Sequence, residues 1–187
     1  MNNIALFASY NGSILETLCE ASLNGELPIN IALILTNNQN ANVLKKAKER
    51  NIPHFVINDT LYEDKDKIID KLLEEHQCEY IILAGYMKKI SPFLTNKYFI
   101  INSHPSLLPK YGGKGMYGRK VHESVVANKE KESGVSVHRV NEHYDEGAIL
   151  LQKKLLLNES ETAESLEKRV KELEKTAMLE ALKLCLK

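Results

Sequence analysis

Two proton-handling groups sit two residues apart in the segment Tyr98-Phe-Ile-Ile-Asn-Ser-His-Pro-Ser-Leu-Leu-Pro109: the amide of Asn102 and the imidazole of His104. Side chains repeat every second residue along a strand, so a buried strand over Phe99 to Asn102 can project both groups to the same side of its end. Pro105 cannot donate to a sheet ladder, and its ring restricts His104 to extended geometry, so the strand stops here by covalent constraint. The carboxyl end of a strand is where open α/β sheets place their ligands.

A second polar island, Asn141-Glu-His-Tyr-Asp-Glu-Gly147, lies between apolar segments. It reads as a plain hairpin loop turned at Gly147, or as a functional loop in which Asp145 holds a buried imidazole and stabilises its charged form. Glu174 follows Val170 by four residues and precedes Ala177 by three, at the margin of an apolar helical stripe. It is either a solvated helix charge or an acid facing inward. Near the N-terminus, an apolar run enters Ser9-Tyr-Asn-Gly-Ser13 and then a helical segment. A strand, a glycine turn and a helix start offer unpaired N–H groups and a positive dipole end to a phosphate; the alternative is an ordinary turn with Ser13 as N-cap. Leu83-Ala-Gly-Tyr-Met-Lys-Lys-Ile90 either walls a flat aromatic ligand or starts a helix that packs on the core.

Other chemistries fail on spacing. Gly113-Lys-Gly-Met-Tyr-Gly118 spells the dinucleotide fingerprint, but Pro109 to Gly112 precedes it where a strand should, and His138 stands where the acid should. It is no Walker loop, because Lys114 is followed by Gly115 and the first glycine position is Leu108. A mobile surface loop is expected there. His122-Glu123 opens like a zincin motif, yet Val126 holds the second histidine position; His138 and His143 are the remaining pair that could share a metal. No Gly-x-Ser-x-Gly elbow occurs. With 25 basic and 25 acidic side chains interspersed, the net charge is zero, so nothing in the overall balance draws the chain to nucleic acid or an acidic membrane. No basic region precedes the short N-terminal apolar run and no segment is long enough to span a bilayer, so a cytoplasmic protein is expected. Cys19, Cys78 and Cys185 are widely separated and odd in number, which favours reduced, packed thiols.

The elements that must position these groups follow from periodicity. Apolar runs at Ile4 to Ala8, Ile29 to Thr36, His54 to Ile57 and Tyr80 to Ala84 alternate with amphipathic segments at Ile14 to Asn24, Ala41 to Asn51 and Tyr62 to Gln77. That alternation predicts βαβ units and a parallel sheet in one α/β domain over residues 1–187. A loop spans Lys110 to Gly118, which holds four of the nine glycines. A helix from about Arg119 to Asn128 and apolar segments Val135 to Val140 and Ala148 to Leu157 come next. Leu166, Val170, Leu173 and Ala177 then mark a long amphipathic helix from Thr162 to Leu186, with Thr162 as its N-cap.

Taken together, Asn11-Gly-Ser13, Leu83 to Ile90, Asn102-Ser-His-Pro-Ser-Leu-Leu-Pro-Lys-Tyr111, Gly134-Val-Ser-Val-His138 and Asp145-Glu-Gly-Ala-Ile-Leu-Leu-Gln152 resemble the phosphoribosylglycinamide formyltransferases. These form a family of the folate-dependent formyltransferase superfamily. The resemblance runs in order along nearly the whole chain. It implies an α/β fold, Rossmann-like, with a mostly parallel twisted sheet of about seven strands flanked by helices and a long C-terminal helix. It also implies transfer of the formyl group of 10-formyltetrahydrofolate to the amine of 5-phosphoribosylglycinamide in purine biosynthesis, with small-molecule substrates, no metal, and a monomer or weak homodimer. By this resemblance Asn102, His104 and Asp145 are catalytic: the amide and imidazole meet the formyl oxygen while Asp145 holds the ring. Gly12, Ser13 and Ile14 would cradle the ribose phosphate, and Glu174 would meet the glycinamide end. Met87, Lys88, Lys89 and Ile90, with Asn102 and Asn141, would hold the folate. The chain departs from the family at Ile14, where an asparagine is frequent, and at Gly112 to Gly118, where many members carry a histidine. The rival readings are formylation of an amino-sugar nucleotide and a non-catalytic folate- or nucleotide-binding module.

Overall fold

A computed structural model describes residues 1–186. Its seven strands form one sheet, in the order β3-β2-β1-β4-β5-β6-β7. The chain divides into two compact units, Met1–Ile101 with Leu186, and Asn102–Cys185.

In the first unit, β1 (Asn2–Phe7) pairs in parallel with β2 (Ile29–Thr36) on one side and β4 (Tyr80–Leu83) on the other; β3 (His54–Val56) extends the sheet beyond β2. Ile4 to Ala8 are fully buried, as expected of a parallel strand covered on both faces. The helices α1 (Leu15–Leu23), α2 (Asn42–Glu49) and α3 (Lys65–Glu75) bury narrow stripes: Leu15, Leu18 and Ala21; Val43 and Ala47; Ile69, Leu72 and Leu73. Two features differ from the sequence expectation. Helix α3 starts at Lys65 rather than Tyr62, because the Asp64 side chain accepts from the Lys67 amide and caps the helix there. A further helix, α4 (Pro92–Lys97), fills the segment before β5; Ser91 caps it by accepting from the Leu94 amide, and proline occupies its first turn.

Strand β5 (Phe99–His104) begins in the first unit and carries its polar end into the second. The second unit continues with α5 (Arg119–Ala127), β6 (Glu132–Arg139), β7 (Ile149–Leu156) and α6 (Ala163–Cys185). β7 runs antiparallel to β6, so the sheet is mostly rather than wholly parallel. A Cβ on Gly134 would lie 2.0 Å from the Lys153 carbonyl oxygen, so only glycine lets the two strands approach there. The register slips between Val137 and His138, a bulge of the kind that redirects a side chain. Helix α6 packs on β6, β7 and α5 through Leu166, Val170, Ala177, Met178, Ala181 and Leu182, and Thr162 caps it by accepting from the Ser165 amide at 3.1 Å. All three cysteines are free, and burial pushes the Cys78 thiol up to about 12.

Candidate functional site

The end of β5 holds the expected pair. His104 is 4% exposed and Asn102 is half-buried. The loop after β5 is fixed from beneath by β6 and β7. The Ser136 hydroxyl donates to the Ser106 carbonyl (2.7 Å) and accepts from the Leu108 amide (2.9 Å), while the Gln152 amide donates to both the Leu108 carbonyl and the Ser136 hydroxyl. Buried backbone groups of an irregular segment need such partners.

The structure brings Asp145 to His104. Its Oδ2 lies 3.5 Å from His104 Nδ1, within ion-pair reach though long for a hydrogen bond, and accepts from the Gly113 amide at 3.0 Å. Asp145 adopts a left-handed backbone conformation with φ 58°, which aspartate tolerates better than most residues. The other ring nitrogen, His104 Nε2, lies 2.7 Å from the Tyr111 carbonyl. A carbonyl only accepts, so Nε2 carries a hydrogen. The loop expected to be a mobile surface segment is thus tied to this cluster at Tyr111 and Gly113.

A fourth member, His138, is absent from the sequence-based set of site residues. Its Nε2 lies 3.1 Å from Asn102 Nδ2 and 3.6 Å from Asp145 Oδ1, and its Nδ1 lies 3.1 Å from the Arg139 carbonyl. Burial lowers its pKa and favours the neutral ring, against the pull of the Arg139 carbonyl and Asp145. The signal in the sequence was the alternation of Ser136 and His138 with Val135 and Val137, a polar face on a strand buried on both sides. His143, by contrast, is exposed and lies 3.4 Å from Glu142, so the two histidines have different neighbours. Among the described residues no group of three or more His, Cys, Asp or Glu side chains is arranged to hold a metal.

Ser103, between the two central residues, points the other way and donates its hydroxyl to Glu174 of α6. Glu174 is therefore not a solvated helix charge: it is half-buried, and desolvation raises its carboxyl pKa although the Ser103 hydrogen bond opposes that. Asn141 is exposed, and its side-chain oxygen accepts from the His143 amide at 2.9 Å.

The first unit holds the remaining candidates. Gly12 has φ 57° and is buried, Ser13 is exposed, and Ile14 is the N-cap of α1 with no side-chain cap bond. Ser13 does not serve as the N-cap; the Leu15 amide donates to the Gly12 carbonyl at 3.0 Å, and no side chain caps this positive dipole end, where an anion is favoured. Glu16 in that turn would repel one, but Lys46 of α2 lies 2.9 Å from it and holds its carboxyl below the usual range despite partial burial. Lys46 also donates to the Asn11 carbonyl at 2.8 Å, bringing a cation to the turn that local sequence could not indicate. The Ser9 hydroxyl accepts from the Met87 amide at 2.8 Å, joining the ends of β1 and β4. Beside them opens a cavity of ≈ 620 Å³, lined among others by Ser9, Asn37, Asn58, Met87 and Lys88. Lys89 is exposed, whereas Ile90 is 5% exposed and packs inside.

An amide donor next to an imidazole and a carboxylate, at the carboxyl end of a strand in a mostly parallel sheet, has the parts to stabilise an oxyanion and move a proton during acyl transfer. The formyl transferase family matches the chain over residues 2–182. A phosphoribosylglycinamide formyltransferase of Haemophilus influenzae is 36% identical over 93% of this chain and 82% of its own length. A chloroplastic enzyme of the same name from Vigna unguiculata is also 36% identical, but the chain spans only 55% of its length. Among solved structures, glycinamide ribonucleotide transformylase 1 from Geobacillus kaustophilus superimposes with a TM-score of 0.90 at 32% identity, each chain covered in full. The phosphoribosylglycinamide formyltransferase from Bacillus halodurans gives a TM-score of 0.89 at 31% identity over 100% of this chain and 96% of that one. The chain belongs to the formyl transferase family, among its phosphoribosylglycinamide formyltransferases.

Proposed function

We propose that the chain acts as one formyltransferase domain that moves the formyl group of 10-formyltetrahydrofolate to the amine of 5-phosphoribosylglycinamide. The observation that carries this reading is the convergence of Asn102, His104 and Asp145 at the end of β5. The neutral amine attacks the formyl carbon and a carbon–nitrogen bond forms as the carbonyl becomes an oxyanion. The Asn102 amide donates to that charge, and the His104 imidazole, held by Asp145 and the Tyr111 carbonyl, stabilises it electrostatically. A proton leaves the attacking nitrogen and reaches N10 of the folate; the bond from carbon to N10 then breaks, releasing tetrahydrofolate and the formylated product.

Gly12, Ser13 and Ile14 take the ribose phosphate at the start of α1, which no side chain caps, with Lys46 offsetting Glu16. Met87 and Lys88 contribute to the folate site through the cavity they line; Lys89, Ile90 and Asn141 are assigned to it by the family resemblance alone. Glu174 holds the glycinamide end of the acceptor. The enzyme works on small molecules, in the cytoplasm, as a monomer or weak homodimer; among the described residues no helix is long and apolar enough to cross a membrane.

The test is to mix the purified chain with both substrates and follow tetrahydrofolate by absorbance. Release that depends on the ribonucleotide is expected. No turnover with fresh protein would sink the assignment, and turnover only with an amino-sugar nucleotide would move it to another acceptor.

A further inference from the structure

His138 makes two contacts whose chemistry, taken together, admits one arrangement. Its Nδ1 faces the Arg139 carbonyl at 3.1 Å, and a carbonyl oxygen has no hydrogen to give, so Nδ1 carries the proton. The ring is 2% exposed, and burial favours its neutral form, so Nε2 keeps a lone pair. Asn102 Nδ2 lies 3.1 Å from that lone pair and donates to it. The inverted amide would set the Asn102 carbonyl oxygen against the same lone pair, which is repulsive. Amide orientation is ordinarily ambiguous because nitrogen and oxygen look alike; here the Arg139 carbonyl decides it through the imidazole.

The consequence reaches the reacting oxygen. Nδ2 of Asn102 has two hydrogens: one is held by His138, and the other is left to meet an oxyanion. With the amide inverted, that second direction would hold a lone pair of the carbonyl oxygen and would repel the oxyanion instead. The register shift between Val137 and His138 falls where this ring departs from its strand, and the ring nitrogen holds the Asn102 amide. His104 and Asp145 are the titratable neighbours of the ring; Asp145 Oδ1, at 3.6 Å from Nε2, could accept from a proton placed there, whereas Asn102 Nδ2, a donor, could not.

We propose that His138 is a positioning residue for formyl transfer: as the Nδ1–H tautomer fixed by the Arg139 carbonyl, it holds the Asn102 amide with nitrogen, not oxygen, toward the reacting formyl oxygen. This rests on the formyl-transfer reading above for its catalytic meaning, but the tautomer and the amide orientation stand apart from any substrate.

Two measurements on the full chain test it. Long-range nitrogen–proton spectra of the unliganded protein at about pH 7.5 report which ring nitrogen carries the hydrogen. The Nδ1–H form is expected for His138, and the Nε2–H form or an imidazolium would overturn the proposal. Steady-state kinetics then compare His138→Leu and His138→Gln. Leucine leaves Asn102 free to turn and should lower kcat by about 10²-fold, the size of one lost oxyanion donor, with KM for both substrates within about threefold. Glutamine offers a carbonyl acceptor near the place of Nε2 and should recover kcat to within about tenfold of the parent. A leucine variant that turns over like the parent, or a glutamine variant no better than a folded leucine variant, would overturn the role. If His138→Leu fails to fold, His138→Gln and the tautomer still decide. If the parent itself shows no turnover, the formyl-transfer reading falls, while the spectra still decide how Asn102 is held.

Discussion

The two units of the chain bury different kinds of polar group. In Met1–Ile101 the buried polar residues are the hydroxyls of Ser9, Thr36 and Thr95, and its two buried ionisable groups, the Cys78 thiol and the Tyr98 phenol, are held neutral by burial. In Asn102–Cys185 three imidazoles, His104, His122 and His138, are buried with Ser106, Ser133 and Ser136, and Glu174 is half-buried beside Ser103. A hydroxyl costs little to bury once it is hydrogen-bonded, whereas an ionisable group keeps the option of a charge that its surroundings must answer. Held amides and hydroxyls suit binding, because they do not change state with the substrate. Groups poised near ionisation suit a step in which charge appears and a proton moves. The first unit is built to hold; the second is built to react.

The largest expected effect is on that division. Asn102→Ala and His104→Ala should each lower kcat by about 10²–10³-fold, as removal of an oxyanion donor does. Gly12→Ala in the first unit places a Cβ 2.7 Å from Val43 Cγ2 at a φ of 57° that suits glycine, so the turn must shift. It should raise KM for the phosphorylated acceptor at least about tenfold with kcat within about threefold. Steady-state kinetics in both substrates distinguish the two patterns. A Gly12→Ala variant with unchanged KM and a collapsed kcat would break the division.

Much of this was legible in the chain because it is local. The parallel strands announced themselves as branched apolar runs, and Asn102 and His104 were visible as polar residues at the end of one. What escaped depends on contacts far apart in sequence. His138 sits inside an apolar strand, and only the bulge and a partner 36 residues away make it part of the site. Asp145 could be read as a turn residue until its left-handed backbone and its contact with His104 were known. Helix α4 is six residues long, too short for a periodic stripe, although Ser91-Pro92 carried its capping signal.

A second comparison concerns how tightly each unit constrains its turns. A Cβ on Gly147, in the loop that carries Asp145, would lie 1.7 Å from the Arg139 carbonyl oxygen, while one on Gly25 in the first unit would meet nothing within 4 Å. Gly25 nonetheless has φ 76°, so alanine there carries backbone strain alone. Urea unfolding should show Gly147→Ala destabilised by about 3 kcal/mol or more, since backbone must move, and Gly25→Ala by about 1–2 kcal/mol. Equal losses at the two positions would show that the Asp145 loop yields more freely than its packing implies.

The smallest effect has opposite signs in the two units. In the first, Lys97 and the Tyr98 hydroxyl outweigh desolvation and hold the Asp70 carboxyl below its ordinary value of 3.8. A depressed carboxyl adds stability that is present above the unfolded value and lost as the pH falls through the folded one. In the second, burial raises the Glu174 carboxyl above its ordinary 4.5. A raised carboxyl favours folding only when protonated, so its contribution is full below the unfolded value and disappears as the pH rises through the folded one. At about pH 7.5, then, Asp70→Asn should lower the melting temperature and Glu174→Gln should raise it, each by about 2–4 °C, the shift that ~1 kcal/mol produces in a chain of this length. The glutamine carbonyl can still accept from Ser103, so the gain isolates the cost of the buried charge. Repeating the melts toward pH 4 should shrink the gain as Glu174 of the parent takes up its proton. A Glu174→Gln gain that persists unchanged at that pH would mean the charge was never the cost, and the contrast between the units would then rest on their imidazoles alone.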